Sequence, residues 1–240
     1  MTLHLPDYKV EAIKADCNDL LARHEVSVRE LSQLIGRLTA SIQAIFPAPL
    51  YYRHLQHLKH QALAQRKGYD ATIALSREAE EELHWWLAHL NAWNGRAILH
   101  PSPDLIIETD ASMRGWGAVC QGVRTGGLWS QMEQKLHINC LELLAGSFAV
   151  KSFTKDRLCV HVRLRMDNTS AVAYVNRLGG THSLVLANLA LALWEWALNR
   201  NIFLSAEHLS GRLNTTADWQ SRHFDDSSNW QLCPEVFRAL

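Results

Sequence analysis

The chain carries no net charge, with 24 Lys and Arg balancing 24 Asp and Glu. That balance removes the long-range pull by which strongly basic domains gather nucleic acid. There is no Cys-x-x-Cys pair; the five cysteines (17, 120, 140, 159 and 233) are widely spaced and odd in number. They fit buried thiols in a reducing compartment better than a disulfide framework. No apolar run is long enough for a membrane: the most apolar stretch, Leu184 to Leu198, contains Asn188 and Glu195 and is too short to span a bilayer. No basic and apolar leader precedes Pro6, so a secretory signal is not expected. An intracellular location, cytoplasm or nucleus, with no membrane partner is the expectation. Repeats and low-complexity tracts are also missing. Prolines number six, and four of them fall at Pro47/Pro49 and Pro101/Pro103, where the local pattern breaks. What remains is 240 residues, 48% hydrophobic with nine tryptophans, enough for one large packed domain or two small ones.

Residues 6–95 read as helical. Val10, Ile13, Cys17, Leu20 and Leu21 keep helical spacing. Ser27-Val-Arg-Glu30 is a capping box opening a helix with Leu31, Leu34, Ile35, Leu38, Ile42 and Ile45 on one face. Pro47 and Pro49 break it and start a helix carrying Tyr52, Leu55, Leu58 and Ala62. A turn around Gly68 precedes Ser76, whose following glutamates suit a helix start. The pattern becomes strand-like at Asn94-Gly95 and Pro101-Ser-Pro103. Strands at 104–110, 115–122 and 126–131 form a meander, followed by a helix at 138–153 and a strand at 159–167. Helices at 169–178 and 182–200, a strand at 202–208 and a short helix near 215–222 complete the chain. This order implies a mixed sheet with helices on its faces.

Four carboxylates sit where that arrangement exposes them. Asp110 and Asp167 end strands, Glu142 lies within the helical Asn139-Cys-Leu-Glu-Leu-Leu-Ala145, and Asp218 starts the last helix. Brought to one sheet edge they would repel strongly unless cations lay between them. Two divalent ions about 4 Å apart answer that repulsion and catalyse phosphodiester cleavage. A lone Asp at a strand end is commonly a cap; Glu142 is harder to explain so, because a buried unpaired carboxylate among apolar neighbours is costly. Residues 101–240 hold thirteen basic and thirteen acidic side chains, so setting the four aside leaves a surplus of four positive charges.

At these residues the chain resembles a known family. Thr109-Asp-Ala-Ser-Met-Arg-Gly-Trp-Gly-Ala-Val119, Asn139-Cys-Leu-Glu142, Met166-Asp-Asn-Thr-Ser-Ala171 and Glu207-His-Leu-Ser-Gly-Arg-Leu-Asn-Thr-Thr-Ala-Asp218, with Ser221-Arg222, resemble in order the motifs of the ribonuclease H domain of retroelement reverse transcriptases. The likeness is to long-terminal-repeat elements and, above all, to those integrating with a tyrosine recombinase. The resemblance implies an α/β fold: a ribonuclease H-like mixed five-stranded sheet with flanking helices, preceded by an all-helical segment. It divides the chain into a thumb- or connection-like segment at 1–100, the ribonuclease H-like domain at 101–224 and a tail at 225–240. The implied reaction is metal-dependent hydrolysis of the RNA strand of an RNA–DNA hybrid, with two Mg2+ ions and Mn2+ as a substitute. Asp110 would bridge both ions, Asp218 would share the one that activates water, and Glu142 and Asp167 would hold the other. His208 would assist proton transfer or product release, and Ser112, Asn139 and Asn168 match positions near the RNA strand. The implied partners are the hybrid and a polymerase fingers and palm region or other retroelement proteins, the palm not being expected in this chain. Two departures stand out: Gln220 replaces a usual leucine, and Ser210 a common proline. The alternative is a catalytically inactive nucleic-acid-binding or polymerase-docking module.

Other signals point to ordinary structure. His54, His57 and His60 drift round a helix and are expected in solvent rather than on zinc. Phe224-Asp-Asp226 reads as a surface turn, and Trp194/Trp196 as core. Arg53, Lys59, Arg66 and Lys67 are available to a nucleic-acid backbone, though helices of any soluble protein carry such residues.

Overall fold

The computed structural model describes residues 1–23, 25–65, 68–98 and 102–223. The turn at Phe224-Asp225-Asp226, the tail 225–240, Arg66, Lys67 and the boundary residues 99–101 lie outside the described residues.

The first half runs β1 (Thr2–Leu3), α1 (Asp7–Leu21), β2 (Glu25–Ser27), α2 (Val28–Ser41), a 3-10 turn at Ala48–Tyr52, α3 (Arg53–Ala64), β3 (Thr72–Ala74), α4 (Arg77–Trp93) and β4 (Arg96–Ala97). The expected capping box starts α2. Ser27 Oγ accepts the Glu30 N–H at 3.1 Å, and the Glu30 carboxylate accepts the Ser27 N–H at 2.9 Å. Leu31, Leu34 and Leu38 are buried on one face of that helix. Helical spacing did not announce two antiparallel ribbons, β1 with β4 and β2 with β3, whose strands are only two or three residues long. Nor is His54 solvated. The buried Glu82 of α4 accepts the backbone N–H groups of His54 and Leu55 and pairs with His54 Nδ1 at 3.0 Å. Glu82 thereby caps α3, which has no cap of its own.

The second half is built from β5 (Leu105–Ala111), β6 (Gly115–Cys120), β7 (Val123–Leu128), α5 (Ile138–Phe153), β8 (His161–Met166), α6 (Thr169–Asn176), α7 (Leu184–Leu198), β9 (Phe203–His208) and α8 (Thr215–Arg222). Its sheet has the order β7-β6-β5-β8-β9. β5, β6 and β7 form the antiparallel meander, while β8 runs parallel to β5 and β9 parallel to β8. This is the mixed five-stranded, helix-flanked sheet of a ribonuclease H fold. The β6–β7 turn is tighter than the sequence suggests. Gln121 (φ 50) and Gly122 (φ 81) both take the left-handed conformation of a two-residue hairpin, so β7 begins at Val123.

Ile107, Leu141, Leu143, Val162 and Trp194 lie in one buried cluster, and the helices of the first half share another. Leu50 of the first half belongs to the second half's cluster, with Phe46 and Tyr51 packed against it. Trp194 is core, as expected, its Nε1 donating to the Val175 carbonyl. Because β5 and β8 are parallel, Asp110 and Asp167 emerge at the same edge, and Met166 faces His208 across β8–β9.

Candidate active site

Asp110, the sixth residue of β5, is buried, as is Glu142 on the second turn of α5; Asp167, just past β8, is half-buried. Each offers a carboxylate oxygen within 4.8 Å of the other two. Among the described residues, no other group of acids, histidines or cysteines comes together in this way. Burial, then the charges of Asp110 and Asp167, pushes the Glu142 carboxyl up to about 9, against a hydrogen bond from the Ala111 backbone. Burial raises Asp110 to about 6; a bond from Ser221 opposes this, and the charges of Asp167 and Asp218 add to it. Glu142 Oε2 is buried with no hydrogen-bond partner. Three crowded hard oxygen donors, one of them orphaned, suit a divalent cation such as magnesium.

The fourth acid stands apart. Asp218, on the first turn of α8, is 43% exposed and accepts from Arg222 Nε at 2.9 Å and Nη2 at 2.6 Å. It is near enough to act on Asp110 through its charge but is not in the cluster of three. His208 is exposed at the end of β9. The loop after it runs close to the acids: Leu209 N–H donates to the Met166 carbonyl, and a Cβ on Gly211 would stand 3.2 Å from Asp167 Oδ2.

The three polar candidates have protein partners. Asn168 caps α6 through the Ala171 N–H, and its amide donates to Asn139 Oδ1 at 2.9 Å, bridging the starts of α5 and α6 beside the acids. Ser112 instead donates to the Ser221 carbonyl at 2.6 Å. Arg53 donates to the carbonyls of Arg177 and Leu178, joining the two halves.

Sequence reasoning singled out neither Ser221 nor Asn214, both fully buried. Ser221 Oγ donates to Asp110 Oδ2 at 2.6 Å, and Asn214 donates to the Thr109 carbonyl at 2.9 Å. Their only sequence signal is membership of the closing motif. Of the two departures, Gln220 is accommodated over Gly126, whose Cβ would lie 3.2 Å from its side chain.

No family model matches the chain. It is 31% identical over 161 residues to the enzymatic polyprotein of Cauliflower mosaic virus (strain D/H), covering 61% of this chain and 23% of that protein. With the enzymatic polyprotein of Carnation etched ring virus it shares 29% identity over 134 residues, 51% of this chain and 20% of that one. The chain resembles the ribonuclease H-like part of a retroelement enzyme. The match spans about a fifth of the length of these relatives. Among solved structures, LC11-RNase H1 in complex with an RNA/DNA hybrid matches at 18% identity and TM-score 0.42, over 49% of this chain and 93% of that one. The foamy viral protease-reverse transcriptase in complex with double-stranded DNA matches at 12% and 0.31, over 82% of this chain and 41% of that one.

Proposed function

We propose that the chain hydrolyses the RNA strand of RNA–DNA hybrids, leaving 5′-phosphate and 3′-hydroxyl ends. The observation that carries this reading is the cluster of Asp110, Glu142 and Asp167, whose oxygens crowd within 4.8 Å at a buried sheet edge. Three carboxylates kept so close, two of them raised by burial and mutual repulsion, are costly without cations. Asp110, Glu142 and Asp167 would hold magnesium ions, with Asp218 joining once its carboxylate parts from Arg222. Bound there, divalent cations supply a nucleophilic water at neutral pH and stabilise the charge on the leaving oxygen. His208, exposed at the same edge, gives or takes a proton at its imidazole. Asn139 and Asn168 offer amides beside the acids, where a contact to a 2′-hydroxyl distinguishes RNA from DNA.

A cleft of about 470 Å³ opens next to Asn139, lined among others by Arg53, Arg177, Thr181, His182 and Ser183, with no carboxylate in its walls. Its chemistry suits a backbone phosphate, so the neutral chain presents a locally basic surface. Arg53 brings the helical half into this surface.

The Asp218–Arg222 pair favours the second reading, a protein that holds hybrid without cutting it. Hybrids labelled on either strand separate the two. The account expects RNA fragments with 3′-hydroxyl ends and an intact DNA strand. Binding without cleavage favours the second reading, and cutting of both strands equally contradicts RNA selectivity.

A further inference from the structure

Ser221 is completely buried on α8, a helix that lies directly on the strand opposite Asp110. Gly117 pairs with Asp110 across β5 and β6, and a Cβ there would stand 2.6 Å from both the Ala217 carbonyl and the Ser221 nitrogen. No other residue fits under α8 without moving the helix. Two serines then tie it down. Ser112, in the turn after β5, accepts the Arg114 and Gly115 N–H groups at 3.1 and 3.2 Å and donates to the Ser221 carbonyl at 2.6 Å. Ser221 Oγ in turn donates its one proton to Asp110 Oδ2 at 2.6 Å, the shorter of its two contacts, the Asp218 carbonyl lying 2.9 Å away. We propose that Ser221 is a positioning residue: its hydroxyl, on a backbone that Ser112 ties down through the Ser221 carbonyl, aims the Asp110 carboxylate at the acid cluster and registers the helix carrying Asp218 against it. The inference rests on the metal-dependent reading above.

A carboxylate with two free torsions presents its oxygens to a cation in many ways, and a short bond to one oxygen removes most of them. The donor is buried and the backbone that carries it is held at its carbonyl by Ser112, so the aim is set before any cation arrives. Partners that orient a ligand in this way typically matter about 10–100-fold in metal affinity. A serine that merely seats the helix would instead affect melting alone.

The test titrates magnesium against the melting temperature of the full chain, beside cleavage of a labelled hybrid. Ser221→Ala should need about 10-fold more magnesium for half of the stabilisation, with most cleavage returning at saturating magnesium. Ser221→Cys, a weaker donor of similar shape, should fall between it and the parent. Glu207→Gln, on a partly exposed pair with Arg165, should titrate like the parent. A Ser221→Ala protein that melts lower yet keeps the parental magnesium midpoint would overturn the proposal. If that variant does not fold, the midpoint of Ser221→Cys decides in the same way. Where the parent shows neither a magnesium shift nor cleavage, the metal-dependent reading fails and takes this one with it. Where the parent shows both and the Ser221 variants match it, only this inference fails.

Discussion

Glu142→Gln should make the metal-free protein more stable while removing its activity. The Glu142 carboxyl is buried, its Oε2 has no partner, and its titration lies near 9 instead of the ordinary 4.5. Between those values the folded chain keeps a proton that the unfolded chain has released. Folding therefore binds protons, and stability is lost as pH rises above 4.5. Each pH unit in that window is worth about 1.4 kcal/mol, so at pH 7 the carboxyl costs about 3 kcal/mol relative to an uncharged isostere. Glutamine has the same shape, carries no titrating proton, and can donate its amide to the carboxylates of Asp110 and Asp167. For a chain of this length about 2–4 °C accompanies each kcal/mol, which gives a rise of roughly 6–12 °C at pH 7 in the presence of chelator. The assay is a pair of melting curves at pH 5 and pH 7 together with a hybrid cleavage rate. The two proteins should melt more alike at pH 5 and diverge by pH 7. A variant that melts below the parent at pH 7, or that still cleaves hybrid at the parental rate, would rule this out.

The parent alone should show the same linkage: its metal-free melting temperature should fall between pH 5 and 9, and saturating magnesium should restore more of it at the higher pH, where binding has fewer protons to displace. A magnesium shift that shrinks as pH rises would contradict the raised titrations of Asp110 and Glu142. His208→Ala should slow turnover, by about 10²–10⁴-fold at most, and leave the magnesium midpoint unchanged, since the exposed imidazole lies outside the cluster of three. Parental cleavage across pH 6–9 would assign His208 to the strand end alone.

Much of the architecture was legible because its signals are local. The Ser27–Glu30 box, the alternation along β8 and the apolar run of β5 each depend on residues a few positions apart. From strand order followed the edge at which Asp110 and Asp167 meet. The short ribbons were not legible: Glu25–Ser27 pairs with Thr72–Ala74 over a separation no local pattern records. Glu82 was hidden for the same reason, looking like one more first-turn glutamate until α3 packs against it. At the site, four acids were visible as types at strand and helix positions, and three of them come within 4.8 Å. That Asp218 stands outside was foreshadowed by its i+4 spacing to Arg222, a favourable helical pair. The bonds of Ser112 and Ser221 span 109 and 111 residues and needed the fold itself.

In the proposed function, carboxylate charge at one sheet edge holds the cations that cleave RNA. Asp110→Asn tests it most directly, because the side chain keeps its shape and still accepts the Ser221 hydroxyl while losing the charge. The measurement is the cleavage rate of an RNA–DNA hybrid in magnesium, with melting curves recorded alongside. The account predicts that Asp110→Asn stays folded and loses cleavage, whereas Glu207→Gln stays active. Equal residual cleavage by the two variants at similar melting temperatures would contradict it.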